Sequence, residues 1–498
     1  MPIPLIERAV EFQDRIAISA VDGEFTYRQL LEASQIVATR LLAGASDLSR
    51  HRVAFLVPPT SEYVAVQWGI WRAGGVAVPL CLSHPEPELE YVIDDCQAQI
   101  LVASPDLVAR LAPIAARRGC RVWSTVELCE GPQGDLPEIG FQRPAMIVYT
   151  SGTTGGPKGV VTTHENIRAQ IESLIEAWGW RADDRVLLVL PLHHVHGIIN
   201  VLGSALWAGA TCEMMLRFDA DEVWQRLSRK ELSLFMAVPT IYARLAAAWK
   251  QADRGTRERW SSACRHLRLM VSGSAALPVQ LFELWREISG HSLLERYGMT
   301  EIGMALSNPL DGDRIPGHVG VPLPGVRVRR VDSEGQTVAP EEPGEIEVQG
   351  RGVFAEYWGR PEETARSFRD GWFQTGDVAV VEQNSYRILG RQSVDIIKTG
   401  GFKVSALEIE EVLRQHPLIR ECAVVGVSDE EWGERVAAVA VVNVGADLSL
   451  EHLRDWTKER LAPYKAPSRL LILDELPRNP MGKVIKLELK RLFVPDTV

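Results

Sequence analysis

Ile147-Val148-Tyr149-Thr150-Ser151-Gly152-Thr153-Thr154-Gly155-Gly156-Pro157-Lys158-Gly159-Val160 is the stretch on which the reading of this chain turns. An apolar run of strand type leads into a segment of hydroxyls, glycines and a single lysine. Glycines let backbone approach a phosphate closely, and exposed N–H groups in such a loop form an anion nest. The hydroxyls add donors, and Lys158 adds a point charge. The segment is a phosphate loop by its chemistry, but not a Walker loop. That pattern needs Gly-Lys-Ser/Thr five residues after its first glycine, whereas here Pro157 precedes the lysine and Gly159 follows it. The plain alternative is a polar surface linker, and so ordered a mix of residue types speaks against it.

Outward from this loop, short apolar runs alternate with helical stretches. Residues 53–57, 75–80, 100–103, 146–150, 185–190, 234–238 and 269–271 read as strands. Residues 61–73 and 89–95 read as helices. Alternation at this spacing implies α/β architecture with largely parallel sheets. Beyond about Pro316 the style changes to short, turn-bounded strands at 326–332, 344–349, 377–382 and 385–389, a smaller antiparallel region. A second change follows Gly390-Arg391-Gln392-Ser393. Helices at 407–415 and 450–461 and strands at 422–427 and 435–442 then make a compact α+β unit. The expected organisation is residues 1–390 as a large α/β domain carrying the phosphate loop, 391–393 as a hinge, and 394–498 as a smaller α+β domain.

Composition limits the partners. The 498 residues carry a formal net charge of −11, with 46% hydrophobic and 24% charged residues. That is ordinary for a globular protein and excludes a wholly disordered chain. An acidic chain of this kind is a poor binder of nucleic acid or anionic membranes. Seven scattered cysteines without a CxxC pair argue against a disulfide framework or a zinc ribbon and suit a reducing compartment. No apolar run approaches membrane-spanning length, and no signal-peptide core opens the chain. The expectation is a cytoplasmic enzyme.

Five further motifs stand in register with the loop: Tyr297-Gly298-Met299-Thr300-Glu301, Thr375-Gly376-Asp377, Gly390-Arg391, Lys398-Thr399-Gly400-Gly401-Phe402-Lys403 and Pro477-Arg478-Asn479-Pro480-Met481-Gly482-Lys483. With them the chain resembles the acyl-adenylate-forming superfamily over nearly its whole length. The resemblance implies two half-reactions. A carboxylate attacks the α-phosphate of ATP, giving an acyl-adenylate and pyrophosphate. A thiol, that of coenzyme A, then displaces AMP.

The resemblance also implies roles. Thr150, Ser151, Gly152, Thr153, Thr154 and Lys158 hold the β- and γ-phosphates. Thr300 donates to the α-phosphate, and Glu301 binds Mg²⁺, a hard cation that takes carboxylate oxygen. Tyr297 stacks on adenine beside Gly298, while Ser274 and Ala275 line the base. Asp377 accepts from the ribose hydroxyls, and Arg391 approaches the ribose. Lys483 bridges the attacking carboxylate and ATP, then withdraws as the small domain rotates. Gly400, Gly401 and Lys403 then line the tunnel for coenzyme A. At the hinge the chain departs from many relatives, having Gln392 and Ser393 after the Gly-Arg pair.

Pro191-Leu192-His193-His194-Val195-His196-Gly197 invites a metal reading, but no fourth ligand at supporting spacing is evident. In the family a histidine here flanks the acyl pocket and gates the thiol, with His194 and His196 the candidates. This segment, together with Val238-Pro239-Thr240-Ile241-Tyr242, Arg244, Ser274-Ala275-Ala276-Leu277 and Glu295–Glu301, resembles malonyl-CoA synthetases. On that resemblance Arg244 and Ser274 grip a distal carboxylate, since an arginine fork matches a carboxylate bidentately. Met304 borders C2 of the acid, so methylmalonate would be accepted in part. The alternatives are another short-chain acyl-CoA synthetase, a ligase that loads a carrier protein, and a nucleotide-binding scaffold without catalysis.

Overall fold

In the computed structural model, strand Pro144–Thr150 does not run into a helix. It returns as strand Lys158–Thr163, paired antiparallel with Thr150 opposite Lys158. The structure describes residues 3–150, 156–399, 402–429, 431–478 and 484–493. They form two compact units: Met1–Arg314, Val321–Arg327 and Val348–Phe373 in the first, and Ile315–Gly320, Val328–Glu347 and Gln374–Val498 in the second.

The first unit is built on two sheets. In one, Val76–Pro79, Arg52–Leu56, Ile100–Ala103 and Val122–Ser124 run parallel beside Pro144–Thr150. In the other, Leu294–Met299, Leu269–Ser272, Leu234–Ala237, Arg185–Leu188 and Thr211–Met214 are parallel neighbours. All four residues of Leu234–Ala237 are buried, as are those of Val76–Pro79. Strands covered on both faces read as continuous apolar runs, which is why these were legible. Helix His164–Trp178 follows Lys158–Thr163 directly, started by a reciprocal cap. The Thr163 hydroxyl accepts from the Asn166 N–H at 3.1 Å, and the Asn166 side chain accepts from the Thr163 N–H at 2.9 Å. Among the described residues no helix is long and apolar enough to cross a membrane.

The segment His196–Gly203 is a π-helix, buried throughout. Nothing in its mainly apolar run, interrupted by Asn200, announced that winding. Gly197 is required there, because a Cβ would stand 2.5 Å from the Pro191 carbonyl oxygen.

In the second unit the hairpin Trp372–Glu382 and Ser385–Arg391 sets Asp377 opposite Arg391. A further sheet orders Phe402–Ser405, Ile396–Thr399, Gly433–Val442 and Ile419–Asp429, with Arg469–Ile472 parallel to Gly433–Val442. The last described helix, Lys486–Arg491, begins with a lysine whose side chain is 10% exposed. Lys486 Nζ lies 2.6 Å from Asp395 Oδ1 and 2.6 Å from Glu410 Oε1. Glu410 also accepts from the Val424 N–H, and Asp395 from the Arg391 N–H.

Candidate active site

Two clusters of the first unit each hold two of the described candidates, Lys158 with Glu301 and His196 with Ser274. The first surrounds Lys158. Its ammonium pairs with the Glu363 carboxylate and lies 5.2 Å from the centre of the Tyr357 ring. The Tyr357 hydroxyl donates to Glu301 Oε1 at 2.9 Å, and the Glu301 carbonyl accepts from the Phe354 N–H at 2.7 Å. Glu301 is buried. Burial and the Glu301 charge hold the Tyr357 phenol well above its usual range. A cation, a hydroxyl and two carboxylates therefore meet where strand Lys158–Thr163 pairs with Glu356–Tyr357. An anionic phosphate would take over Lys158 from Glu363, and a buried carboxylate such as Glu301 is the oxygen donor a magnesium ion prefers. Glu363→Gln removes the competitor for Lys158. Its expected effect is a fall in the Kd for ATP of about two- to fivefold, the worth of one partly exposed ion pair, read by calorimetry.

The second cluster is the acyl side. Ser274 follows strand Leu269–Ser272 with φ +70°, in the left-handed region that an L residue adopts only under constraint. Its hydroxyl is 3.2 Å from His196 Nδ1 and accepts from an Arg296 N–H at 3.2 Å. Arg296 is 3% exposed. Its guanidinium lies flat against Gly273, where a Cβ would come within 2.6 Å of it. Among the described residues no carboxylate pairs with this arginine, and its Nε and His196 Nε2 make no hydrogen bond. Burial brings the guanidinium down to about 9, still charged at neutral pH. Burial, aided by that neighbouring cation, holds His196 far below its usual range, so the imidazole is neutral. A desolvated cation, a hydroxyl and a neutral imidazole face one point. That set suits a carboxylate, because an unpaired buried charge is costly and an anion relieves it.

The other candidates fall around these clusters. Met304 is buried, its thioether packed where a Cβ on Gly298 would meet it. Tyr297 and Thr300 are half-buried, and Ala275 is exposed. His194 is half-buried, its ring 4.0 Å from that of His193. Arg244 is exposed on helix Pro239–Gln251, its guanidinium 6.0 Å from the centre of the Phe218 ring. No hydrogen bond joins it to Ser274; Arg296 makes that contact instead. In the second unit Arg391 donates to both Asp377 oxygens, at 3.0 and 3.3 Å. Ser151, Gly152, Thr153, Thr154, Gly400, Gly401 and Lys483 lie outside the described residues, as does the side chain of Lys403.

Sequence reasoning missed Arg296, Tyr357 and Glu363. Arg296 carried one signal, a charged residue directly after Leu293-Leu294-Glu295 in a strand beside the acyl segments. Glu363 carried none, since it reaches Lys158 across 205 residues.

Comparison with known proteins gives the family. The family model for AMP-binding enzymes matches residues 5–358, and that for the AMP-binding enzyme C-terminal domain matches 408–483. The chain is 46% identical to the mitochondrial malonate–CoA ligase of Mus musculus, over 99% of this chain and 91% of the relative. It is 42% identical to the malonate–CoA ligase of Arabidopsis thaliana, over 96% and 86%. Its structure matches ATP-bound MatB from Rhodopseudomonas palustris with a TM-score of 0.90, at 35% identity and 99% coverage of both chains. With both family models matched in order along its length, this chain belongs to the AMP-binding enzymes.

Proposed function

We propose that the protein joins malonate to coenzyme A at the expense of ATP, releasing AMP and pyrophosphate. The observation that carries the choice of acid is Arg296, a buried cation held by Ser274 and left without an acidic partner among the described residues. A dicarboxylate supplies that partner with one carboxylate and reacts with the other. Malonyl-CoA formation is also the activity named for the relatives above.

In the first half-reaction the reacting carboxylate oxygen bonds to the α-phosphorus of ATP and the bond to pyrophosphate breaks. No covalent enzyme intermediate forms, so positioning and charge stabilisation supply the rate. Lys158, with Thr150, Ser151, Gly152, Thr153 and Thr154, steadies the leaving pyrophosphate after exchanging Glu363 for phosphate. Thr300 donates to the α-phosphate. Glu301 is the residue that would hold Mg²⁺, which supplies charge neutralisation on the phosphates. Tyr297 and Gly298 with Ser274 and Ala275 border the adenine. Asp377 accepts from the ribose hydroxyls, with Arg391 alongside. Lys483 bridges the reacting carboxylate and ATP. Arg296, Ser274 and His196 hold the distal carboxylate, with Arg244 at the exposed side and Met304 beside C2. In the second half-reaction the small domain turns about 391–393. Gly400, Gly401 and Lys403 then line the thiol's path, His194 gates it, and the thiol sulfur bonds to the acyl carbon as AMP leaves.

The test is pyrophosphate release with ATP and Mg²⁺ over acetate, malonate, methylmalonate, succinate, octanoate and benzoate, with and without coenzyme A. Malonate is expected to exceed acetate in kcat/KM by at least ~10²-fold, because acetate leaves the buried cation unpaired. Methylmalonate is expected within about 10–200-fold of malonate, the range a single methyl commands. A preference for monocarboxylates overturns the assignment. Adenylation without a coenzyme A thioester replaces coenzyme A by a carrier-protein thiol.

A further inference from the structure

Arg360, directly before helix Pro361–Arg366, stands at a junction that the reaction above leaves unused. Its Nη2 donates to the Tyr91 hydroxyl at 3.2 Å, to Asp95 Oδ1 at 3.2 Å and to the Pro157 carbonyl at 3.4 Å. Its Nη1 lies 3.9 Å from Glu363 Oε2. The partners of Nη2 are themselves joined. The Tyr91 hydroxyl donates to the same Pro157 carbonyl at 2.7 Å, and Asp95 Oδ2 accepts from the Tyr149 hydroxyl at 2.6 Å. Tyr91 and Asp95 belong to helix Glu86–Asp95, and Tyr149 to strand Pro144–Thr150. Arg360 and Tyr91 therefore hold the backbone immediately before Lys158 from two sides, through one carbonyl.

Glu363 lies between two cations. Its carboxylate pairs with Lys158 and faces Arg360 at the outer limit of an ion pair. A phosphate that takes Lys158 would strand this carboxylate beside a second anion, and like charges at short range repel. Arg360 is the group that can receive it. A guanidinium presents five donors in a fork, so it can keep Asp95 with one edge and accept a second carboxylate with another. The plain alternative is that Arg360 only ties helix Pro361–Arg366 to helix Glu86–Asp95. In that case Glu363 would respond to ATP in the same way whether or not the arginine is present.

We propose that Arg360 is a positioning residue for ATP binding: it fixes Pro157 ahead of Lys158, and it receives Glu363 when a phosphate displaces that carboxylate. This role rests on Lys158 being a phosphate ligand, as proposed above. It does not depend on which acid is activated.

The experiment measures the Kd for ATP with Mg²⁺ by calorimetry on the full-length protein and on Arg360→Gln, Glu363→Gln and their double variant. Arg360→Gln should raise the Kd about tenfold, the worth of one hydrogen bond from a charged donor. Glu363→Gln lowers the Kd about two- to fivefold where Arg360 is present. Where Arg360 is absent the displaced carboxylate has no second partner, and the same change should lower the Kd about tenfold. Independent residues give equal factors in the two backgrounds, and equal factors overturn the proposal. So does an unchanged Kd in Arg360→Gln. Arg360→Lys keeps a charge facing Glu363 and should show the two- to fivefold response of the unaltered protein; a tenfold response there also overturns it. Lys158→Ala separates the two readings. An unchanged Kd in that variant removes the phosphate role of Lys158 and the role of Arg360 with it. A raised Kd there, with equal factors in the cycle, removes the role of Arg360 alone.

Discussion

Arg296→Met is expected to lower kcat/KM for malonate by about 10³-fold while leaving acetate unchanged or improved. The argument is electrostatic. Arg296 is 3% exposed and contacts Ser274, and no carboxylate among the described residues balances it. On the proposed reading, the distal carboxylate of malonate would be desolvated against a cation that has already lost its water. Removing one partner of such a pair costs about 2–5 kcal/mol, because the other charge is then buried alone. A loss of 10³ corresponds to ~4 kcal/mol, inside that range. Acetate brings no second carboxylate and loses nothing. Stability should move the other way: methionine fills similar volume without a desolvated charge, so thermal unfolding should be unchanged or a few degrees higher. Steady-state kinetics on both acids with a melting curve decides it. Arg244→Ala is the companion measurement. Arg244 is exposed, so its loss should cost less than that of Arg296 if both bear on the distal carboxylate. Equal losses on malonate and acetate in Arg296→Met would mean that the arginine serves the fold rather than the acid.

Glu301→Gln is expected to reduce the adenylation half-reaction by ~10²-fold or more, the scale on which one electrostatic element of a transition state is worth. Glutamine preserves the shape and can still accept from the Tyr357 hydroxyl, so the contact at 2.9 Å should survive. Only the negative charge goes. If Glu301 holds magnesium, ATP binding followed by calorimetry should tighten with magnesium in the unaltered protein and hardly at all in the variant. Tyr357→Phe keeps the charge, removes one donor and should have a much smaller effect. A variant whose ATP affinity still responds fully to magnesium would place the metal elsewhere.

How far the sequence could be read depended on what kind of interaction shaped each part. Runs such as Leu234–Ala237 and Ile100–Ala103 were legible because strands enclosed on both faces are apolar without interruption. The helix Glu86–Asp95 begins three residues before the expected 89, because its first turn, Glu86-Pro87-Glu88, is polar. Its start signals were a proline in the first turn and acidic residues near the helix N-terminus. The π-helix His196–Gly203 was not legible, since a segment buried on every side, Asn200 included, has no solvent face to betray its winding. In the site, Lys158 and Glu301 stood out because their motifs are local. Arg296 did not, because arginine is ordinarily exposed and only folding reveals this one as buried. Tyr357 and Glu363 become neighbours of Lys158 only through the pairing of Lys158–Thr163 with Glu356–Tyr357, a long-range fact absent from any window of sequence.

Lys486 has a consequence for where this chain can be cut. One ammonium serves two carboxylates from different places, Asp395 after the last hairpin strand and Glu410 in helix Ala406–Leu413. Burial draws that ammonium's pKa down, and the two acids more than restore it, so it stays protonated. A chain trimmed ahead of residue 484 keeps both acids and loses their shared counter-ion. Glu410 keeps Arg414 at 3.0 Å, so Asp395 is the one that would have to take up a proton or draw in water. The short closing helix thus acts as a fastening pin for the small sheet, and a tag or truncation placed there would loosen the strands it pins.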